Sequence, residues 1–145
     1  MRQRTILLIE DSPEDREVIL RAFEKLGVGH EIRCCDSGVQ ALDFLHRRGV
    51  FQDPAAAPRP GLVLLDLNLP GVDGQQVLES LKRDPELSPI PVVVLSSSAE
   101  RADVRRCYAA GASGYVQKPL GVEQFALVVR RLKEFWFDLV ELPEP

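Results

Sequence analysis

Three acidic side chains in this sequence each follow a short and mostly apolar run. Glu10 and Asp11 come directly after the run 5–9, and Asp66 comes directly after the run 62–65. Such continuous runs are typical of strands that are buried on both faces, as in parallel sheets. Because open α/β sheets carry their chemistry at the carboxyl ends of the strands, these acids are candidates for a functional site. Taken in isolation, Asp66 is explained equally well as a residue that caps a loop.

The three carboxylates are expected to converge if the first and third strands are neighbours in the sheet. That is the arrangement in the flavodoxin-like strand order 2-1-3-4-5. Without compensation, Glu10, Asp11 and Asp66 would repel and raise one another's pKa values. A divalent cation removes this repulsion, and a set of hard oxygen ligands suits Mg²⁺. The sequence therefore predicts a magnesium site.

Two further runs end in a hydroxyl group and in an amine. Ser96 follows the run 92–95, and Lys118 follows the short run 114–117. A metal and a lysine can neutralise the oxygens of a phosphoryl group while a carboxylate attacks it in line. Asp66 is the best candidate for this nucleophile, because its strand is expected at the centre of the sheet. The combination predicts phosphoryl transfer.

Five predicted strands alternate with five predicted helices and position these groups. The strands are 5–9, 31–34, 62–65, 92–95 and 114–117, and the last helix spans about 121–140. Right-handed crossovers in this pattern produce a parallel sheet with helices on both faces. We therefore predict an α/β fold of the flavodoxin-like type, a three-layer (βα)5 arrangement with strand order 2-1-3-4-5.

Length and composition limit the function further. The 145 residues, 45% of them hydrophobic, fit one folded domain with a core at about 4–138 and a polar tail at 141–145. No output domain is expected. The net charge of −4 disfavours a nucleic-acid partner, which requires clustered Lys and Arg. The uncharged segment before Glu10 is too short for a signal peptide or a membrane span. The three cysteines cannot all pair and show no metal-ligand spacing, which indicates reduced thiols in a cytoplasmic protein.

Two segments depart from the regular pattern. The connection 49–61 is long and rich in proline and alanine, and we interpret it as a mobile surface loop or, alternatively, as a partner contact. Near the C-terminus, a helix cannot bury three consecutive aromatic residues, Phe135, Trp136 and Phe137. Trp136 shares the predicted core stripe, which leaves Phe135 or Phe137 partly exposed. The exposed aromatic side chains form a homodimer interface or pack against the C-terminal tail.

The motifs closely resemble those of the receiver domain of two-component response regulators across residues 4–138. The matching segments are 9–11, 65–70, 73–74, 95–97 and 111–119. The resemblance implies a signalling protein that catalyses only its own phosphorylation and dephosphorylation, with Asp66 accepting a phosphoryl group from a histidine kinase. It also implies that Mg²⁺ is bound by Glu10, Asp11, Asp66 and the backbone carbonyl of Asn68. Glu10 replaces the commoner aspartate, so we expect an altered metal affinity and not a lost function.

The same resemblance implies roles for residues of the last two strands. Lys118 and Ser96 would contact the phosphoryl group. Tyr115 would leave an exposed rotamer for the space vacated near Ser96, which changes the surface formed by helix 4, strand 5 and helix 5. In this family the Lys118–Pro119 bond is typically cis, a state that the X-Pro amide permits.

A narrower similarity links the chain to the small regulators that serve phytochrome-type photoreceptor kinases. It rests on the long connection 49–61, the serine run 96–98 and the aromatic segment 134–137. This similarity implies a bacterial phytochrome as the histidine kinase, a homodimer, and a downstream protein that the sequence does not identify.

Three other functions fit the residues less well. An aspartyl-phosphate hydrolase usually has a second acid two residues after its nucleophile, where this chain has Asn68. A nucleotide or flavin binder needs a phosphate cradle of small residues after the first strand, whereas 10–15 is acidic. A phosphorylation-independent binding module of receiver type would normally lack one of Asp66, Asp11 or Lys118. This module remains the alternative function.

Overall fold

In the computed structural model, which describes residues 3–144, five parallel strands alternate with five α-helices. The strands are β1 (Thr5–Ile9), β2 (Glu31–Cys35), β3 (Pro60–Asp66), β4 (Val92–Ser96) and β5 (Gly114–Gln117). The helices are α1 (Pro13–Lys25), α2 (Gly38–His46), α3 (Gly74–Arg83), α4 (Arg101–Ala109) and α5 (Val122–Lys133). The strands pair in the order β2-β1-β3-β4-β5, so the predicted flavodoxin-like topology is confirmed.

Helices cover both faces of the sheet, and the strands alternate their side chains between two apolar clusters. In β1, Leu7 and Ile9 point to the cluster that includes α2, α3 and α4, whereas Ile6 and Leu8 point to the cluster that includes α1 and α5. This is the period of two expected for a strand with two buried faces. The central strands β1, β3 and β4 are buried along their whole length. Their carboxyl ends are therefore held at fixed positions.

The connection between α2 and β3 contacts the domain at several points, whereas its residues 52–55 are exposed, and its mobility and its role as a partner contact stay predictions. It begins with a 3₁₀-helix, Gly49–Phe51, and the ring of Phe51 lies 5.2 Å from that of Phe44. Ala57 is buried, and its carbonyl accepts a hydrogen bond from Arg47 Nε at 3.1 Å. Phe51 and Ala57 therefore fasten this irregular segment to α2.

The continuation of α5 is a π-helix, Glu134–Leu139, and it changes which aromatic side chain is buried. In a π-helix the hydrogen bonds join residues i and i+5. Phe137 lies five residues after the buried Leu132 and is itself only 3% exposed, while Trp136 is half-buried. Trp136 packs against the core cluster that includes α1 and α5, as predicted, and the wider turn buries the next residue, Phe137, more completely. Phe135 is 49% exposed.

The described part of the C-terminal tail lies against the start of β1. Arg4 Nη2 lies 3.2 Å from the Glu144 carboxylate and 3.5 Å from the Leu142 carbonyl. Leu142 packs on the cluster that includes α1 and α5, which also contacts Trp136. The predicted tail thus contributes packing on the side of the aromatic segment; Pro145 falls outside the described residues. Across residues 3–144, none of the helices has the length and apolar character needed to span a membrane.

Candidate functional site

The carboxyl ends of four strands bring the predicted site residues to one edge of the sheet. β1 and β3 are neighbours, so Glu10 and Asp11 at the end of β1 lie beside Asp66 at the end of β3. Ser96 is the last residue of β4 and is fully buried. The backbone N–H of Lys118 donates to the Ser96 carbonyl at 2.7 Å, which fixes the residue after β5 beside β4.

Glu10, Asp11 and Asp66 form a compact carboxylate group. One oxygen from each side chain lies within 4.8 Å of the others. Glu10 is 1% exposed and Asp66 is 4% exposed. Burial and the hydrogen bond with Asp66 raise the pKa of Glu10 to about 8, and Lys118 only partly offsets them. At neutral pH the folded chain therefore favours a proton on Glu10 over three negative charges.

This donor set suits a small divalent cation. Three carboxylates supply hard oxygen atoms at one point, and a cation replaces the proton that otherwise relieves their repulsion. Asn68, whose carbonyl is the fourth predicted ligand, lies in the loop after Asp66, and its N–H donates to Asp66 Oδ1 at 3.1 Å. The loop returns so closely that a Cβ at Gly74 would lie 2.3 Å from the Asp66 carbonyl oxygen. Glycine is required at that position.

Lys118 contributes a buried positive charge to the same group. Its side chain is 8% exposed, and Nζ lies 2.6 Å from Glu10 Oε1 and 3.5 Å from Asp66 Oδ2. Burial alone lowers the pKa of this lysine, but the hydrogen bonds to Glu10 and Asp15 and the charge of Asp66 outweigh burial and raise it. Lys118 is therefore a cation at neutral pH, within reach of any group attached to Asp66.

Sequence reasoning missed Asp15 as a residue of this site. Asp15 Oδ2 lies 2.9 Å from Lys118 Nζ, almost as close as Glu10. In the sequence, an acid in the first turn of a helix is already explained by the helix dipole. The spacing in the sequence could have indicated it, because Asp15 lies one helical turn after Asp11 and therefore stays near the end of β1.

Ser98 links the end of β4 to Tyr115 and to α4. The N–H of Ser98 donates to Ser96 Oγ at 3.1 Å, and its carbonyl accepts a hydrogen bond from the Tyr115 hydroxyl at 2.9 Å. Ser98 Oγ donates to Asp103 at 2.7 Å. Tyr115 is half-buried and packs on the apolar cluster, so the expected exposed rotamer is not the one observed. The ring gains apolar contacts inward while its hydroxyl keeps a partner.

The Lys118–Pro119 peptide bond is trans, so the expectation of a cis bond is wrong for this structure. An X-Pro amide prefers the trans form by about 0.5–1 kcal/mol unless the surrounding contacts reverse the preference. Beyond Pro119 the chain turns outward, and the side chain of Leu120 is fully exposed before α5 begins. The Lys118–Pro119 bond thus has the form that an X-Pro amide intrinsically prefers.

A known protein family matches most of this chain, including the residues of the strand-end site. The model of the response regulator receiver domain matches residues 6–130, a range that includes Glu10, Asp66 and Lys118. The chain belongs to this family. The receiver fold accounts for the strand order and for the edge at which the acidic groups, the serine and the lysine meet.

Relatives of this receiver domain include regulators from bacteria and from an archaeal methanogen. Response regulator Rcp1 of Synechocystis sp. is 36% identical over 140 residues, which cover 97% of this chain and 93% of Rcp1. The probable methanogenesis regulatory protein FilR2 of Methanothrix harundinacea is 40% identical, with 97% of this chain and 88% of FilR2 covered. The matches extend over nearly the whole of each protein.

Solved structures of response regulators are also similar to this chain. The Mn²⁺-bound form of Rcp1 superposes with a TM-score of 0.92 at 35% identity, covering 97% of this chain and 99% of Rcp1. The phosphorylated cyanobacterial phytochrome response regulator RcpA superposes with a TM-score of 0.93 at 36% identity, covering 99% of this chain and all of RcpA. This receiver domain is therefore related to phytochrome response regulators.

Proposed function

We propose that this receiver domain accepts a phosphoryl group on Asp66 from a histidine kinase in a Mg²⁺-dependent reaction. The observation that carries the proposal is the spacing of the charged groups. Oxygen atoms of Glu10, Asp11 and Asp66 lie within 4.8 Å of one another, and Lys118 Nζ lies 3.5 Å from Asp66. The relatives support it, because Rcp1 has a Mn²⁺-bound form and RcpA has a phosphorylated form.

In the proposed reaction, a carboxylate oxygen of Asp66 attacks the phosphorus atom of a phosphohistidine. The new oxygen–phosphorus bond forms as the phosphorus–nitrogen bond breaks, and the electron pair stays on the imidazole nitrogen. Glu10, Asp11, Asp66 and the Asn68 carbonyl would hold Mg²⁺, which when bound would neutralise charge on the transferred oxygens. Lys118 supplies a second positive charge.

The remaining residues of the site orient these groups. The Asn68 N–H fixes one oxygen of Asp66 at 3.1 Å, so the other faces Lys118. Ser96 is fully buried and offers its hydroxyl to a phosphoryl oxygen. Asn68, Lys118 and Ser96 thus lie around Asp66 before the reaction, so the transferred oxygens would find donors nearby.

Phosphorylation would alter the surface of α4, β5 and α5 through Ser98. A phosphoryl group adds nearly two negative charges and three acceptor oxygens at one point. When Ser96 turns toward those oxygens, its hydrogen bond from the Ser98 N–H is disturbed. Ser98 also holds Tyr115 and, through Asp103, α4. The proposed switch is therefore a change in the contacts of Ser98, with Tyr115 as the partner that moves.

The proposed partners follow from the relatives and from the exposed aromatic segment. RcpA is a phytochrome response regulator, and we assign this chain a bacterial phytochrome as its histidine kinase. The segment Phe135, Trp136 and Phe137 supplies the proposed homodimer interface, with Phe135 exposed and Phe137 anchored in the core. We propose that residues 1–145 act as a single receiver domain in the cytoplasm, with output through contacts to a downstream protein.

The experiment that tests the function is intact-mass measurement after incubation with acetyl phosphate and Mg²⁺. The expected result is one added phosphoryl group, which is lost in Asp66→Asn and in the presence of EDTA. The alternative function, a phosphorylation-independent binding module, predicts no adduct and no binding of the phosphoryl mimic beryllofluoride. The rates of phosphotransfer from a phytochrome-type kinase and from an unrelated kinase would then be compared to test the proposed kinase.

A further inference from the structure

Lys118 has a carboxylate partner that is not part of the candidate metal site. Asp15 Oδ2 lies 2.9 Å from Lys118 Nζ, although the two residues are 103 positions apart in the chain. The oxygens that meet within 4.8 Å belong to Glu10, Asp11 and Asp66, and Asp15 is outside that group. Asp15 therefore binds the lysine from the side of α1.

The local structure of α1 does not require this contact. The helix is capped by Ser12, whose Oγ accepts a hydrogen bond from the Asp15 backbone N–H at 3.2 Å. The neighbouring acid, Glu14, is exposed and accepts a hydrogen bond from Ser12 Oγ at 3.2 Å. Both acids lie near the positive end of the helix dipole. Only Asp15 reaches across the site to Lys118.

The two close partners of Lys118 respond differently to the proposed reaction. Glu10 is a ligand of the proposed cation, which would compete with Lys118 for the Glu10 oxygen atoms. Asp15 is 33% exposed and lies outside the group of proposed cation ligands. After the cation has bound, Asp15 is the carboxylate that still competes for Lys118 when a phosphoryl group forms on Asp66.

We propose that Asp15 is a positioning residue that holds Lys118 in the unphosphorylated state and competes with the phosphoryl group of Asp66 for it. The inference rests on the proposed function, since it concerns the same lysine. Asp15 acts through Lys118 and opposes the phosphorylated state. It thereby limits the affinity of the site for a phosphoryl oxygen.

The test compares Asp15→Asn with Glu14→Gln, which removes the same charge one residue away without touching Lys118. Binding of beryllofluoride is measured at saturating Mg²⁺ for both variants and the unaltered chain. Asp15→Asn is expected to bind roughly fivefold more tightly, the scale of one partly screened ion pair. Unchanged or weaker binding by Asp15→Asn overturns the proposal, as does equal tightening by Glu14→Gln.

A second measurement keeps this inference separate from the proposed function. In lysine-selective ¹⁵N NMR without Mg²⁺ or beryllofluoride, the Lys118 Nζ signal is assigned by its loss in Lys118→Arg. The signal is expected to shift in Asp15→Asn, to return toward its original position in Asp15→Glu, and to stay unchanged in Glu14→Gln. If the unaltered chain fails to bind beryllofluoride, the proposed function fails. An unshifted Nζ signal in Asp15→Asn overturns the Asp15 contact itself.

Discussion

Glu10 Oε1 lies 2.6 Å from Lys118 Nζ, closer than the 3.5 Å that separates the lysine from Asp66 Oδ2. The carboxylate proposed to bind the cation thus also holds the amine proposed to bind the phosphoryl group. Binding of a cation to Glu10 weakens its attraction for Lys118 and makes the lysine more available to Asp66. Since Glu10 and Asp66 are both proposed cation ligands and both contact this lysine, they couple the two halves of the site.

The first prediction concerns the stability of the metal-free chain as a function of pH. In the folded chain Glu10 keeps a proton up to about pH 8, whereas its ordinary pKa is 4.5. Between these values the folded state binds more protons than the unfolded state, so stability falls as pH rises through that window. Urea denaturation in EDTA from pH 5 to pH 8 should show a loss on the order of a few kcal/mol.

The control for this pH dependence is Glu10→Gln, which carries no titratable group at the position. Its stability should change much less between pH 5 and pH 8 than that of the unaltered chain. Equal slopes for the two proteins would show that Glu10 does not carry the raised pKa.

The second prediction concerns the cation. Since the folded chain favours a proton on Glu10 below about pH 8, Mg²⁺ must displace that proton and its affinity should rise with pH up to that value. Calorimetric titrations in buffers of different ionisation enthalpy should detect proton release near neutral pH. Glu10→Asp should still bind Mg²⁺ with a changed affinity, whereas Glu10→Gln should bind about tenfold more weakly without proton release. Identical heats in all buffers would contradict the coupling.

The third prediction concerns Tyr115 and its hydrogen bond to the Ser98 carbonyl. Tyr115→Phe keeps the ring but removes the 2.9 Å hydrogen bond, which should lower the free energy of unfolding by about 1 kcal/mol. Phosphorylation of Asp66 should persist in this variant and in Tyr115→Ala, because Tyr115 lies outside the carboxylate group. Partner binding that depends on phosphorylation should fall in Tyr115→Ala, measured by co-purification with the kinase or target. Full partner binding by a phosphorylated Tyr115→Ala protein would exclude the proposed switch.

The fourth prediction separates two neighbouring aromatic residues by their burial. Phe137 is buried beside Phe23, with ring centroids 5.5 Å apart, so Phe137→Ala should cost about 3–5 kcal/mol of stability. Phe135 is 49% exposed, so Phe135→Ala should change stability little but should weaken the proposed homodimer. Light scattering at tens of micromolar protein measures the assembly. A monomer mass for the unaltered chain would remove the dimer from the account.

The strand-end site could be predicted because its pattern is local in sequence. Apolar runs such as 62–65 identify buried strands, and a polar residue directly after each run lies at the carboxyl edge of a parallel sheet. Glu10, Asp66 and Lys118 could therefore be placed together before their distances were known. These three residues lie at the carboxyl edge of the sheet whatever rotamers their side chains adopt.

The structural details that the sequence did not predict depend on local conformation, which the order of apolar and polar residues does not encode. Trp136 lies four residues after Leu132, which is the spacing of a regular helix, and no residue type marks the π-helix that buries Phe137 as well. Prolines mark the connection 49–61 as irregular, but they do not reveal that Ala57 is buried. The inward rotamer of Tyr115 depends on the Ser98 carbonyl, which only the folded chain brings near.

Asp15 shows a different limit of sequence reasoning. A first-turn acid after the capping Ser12 has a sufficient local explanation, so nothing prompts a search for a distant partner. The contact with Lys118 arises because β1 and β5 end at the same edge and α1 begins there.

The most direct test of the central claim is to locate the acyl phosphate chemically. After incubation with acetyl phosphate and Mg²⁺, borohydride reduction converts a phosphorylated aspartate to homoserine, and peptide mass spectrometry identifies the residue. This measurement distinguishes the acceptor from a ligand, which Asp66→Asn alone cannot do because Asp66 serves as both. The account predicts homoserine at position 66 and its loss when EDTA is present. Homoserine at another aspartate, or none despite a measured phosphoryl adduct, would contradict it.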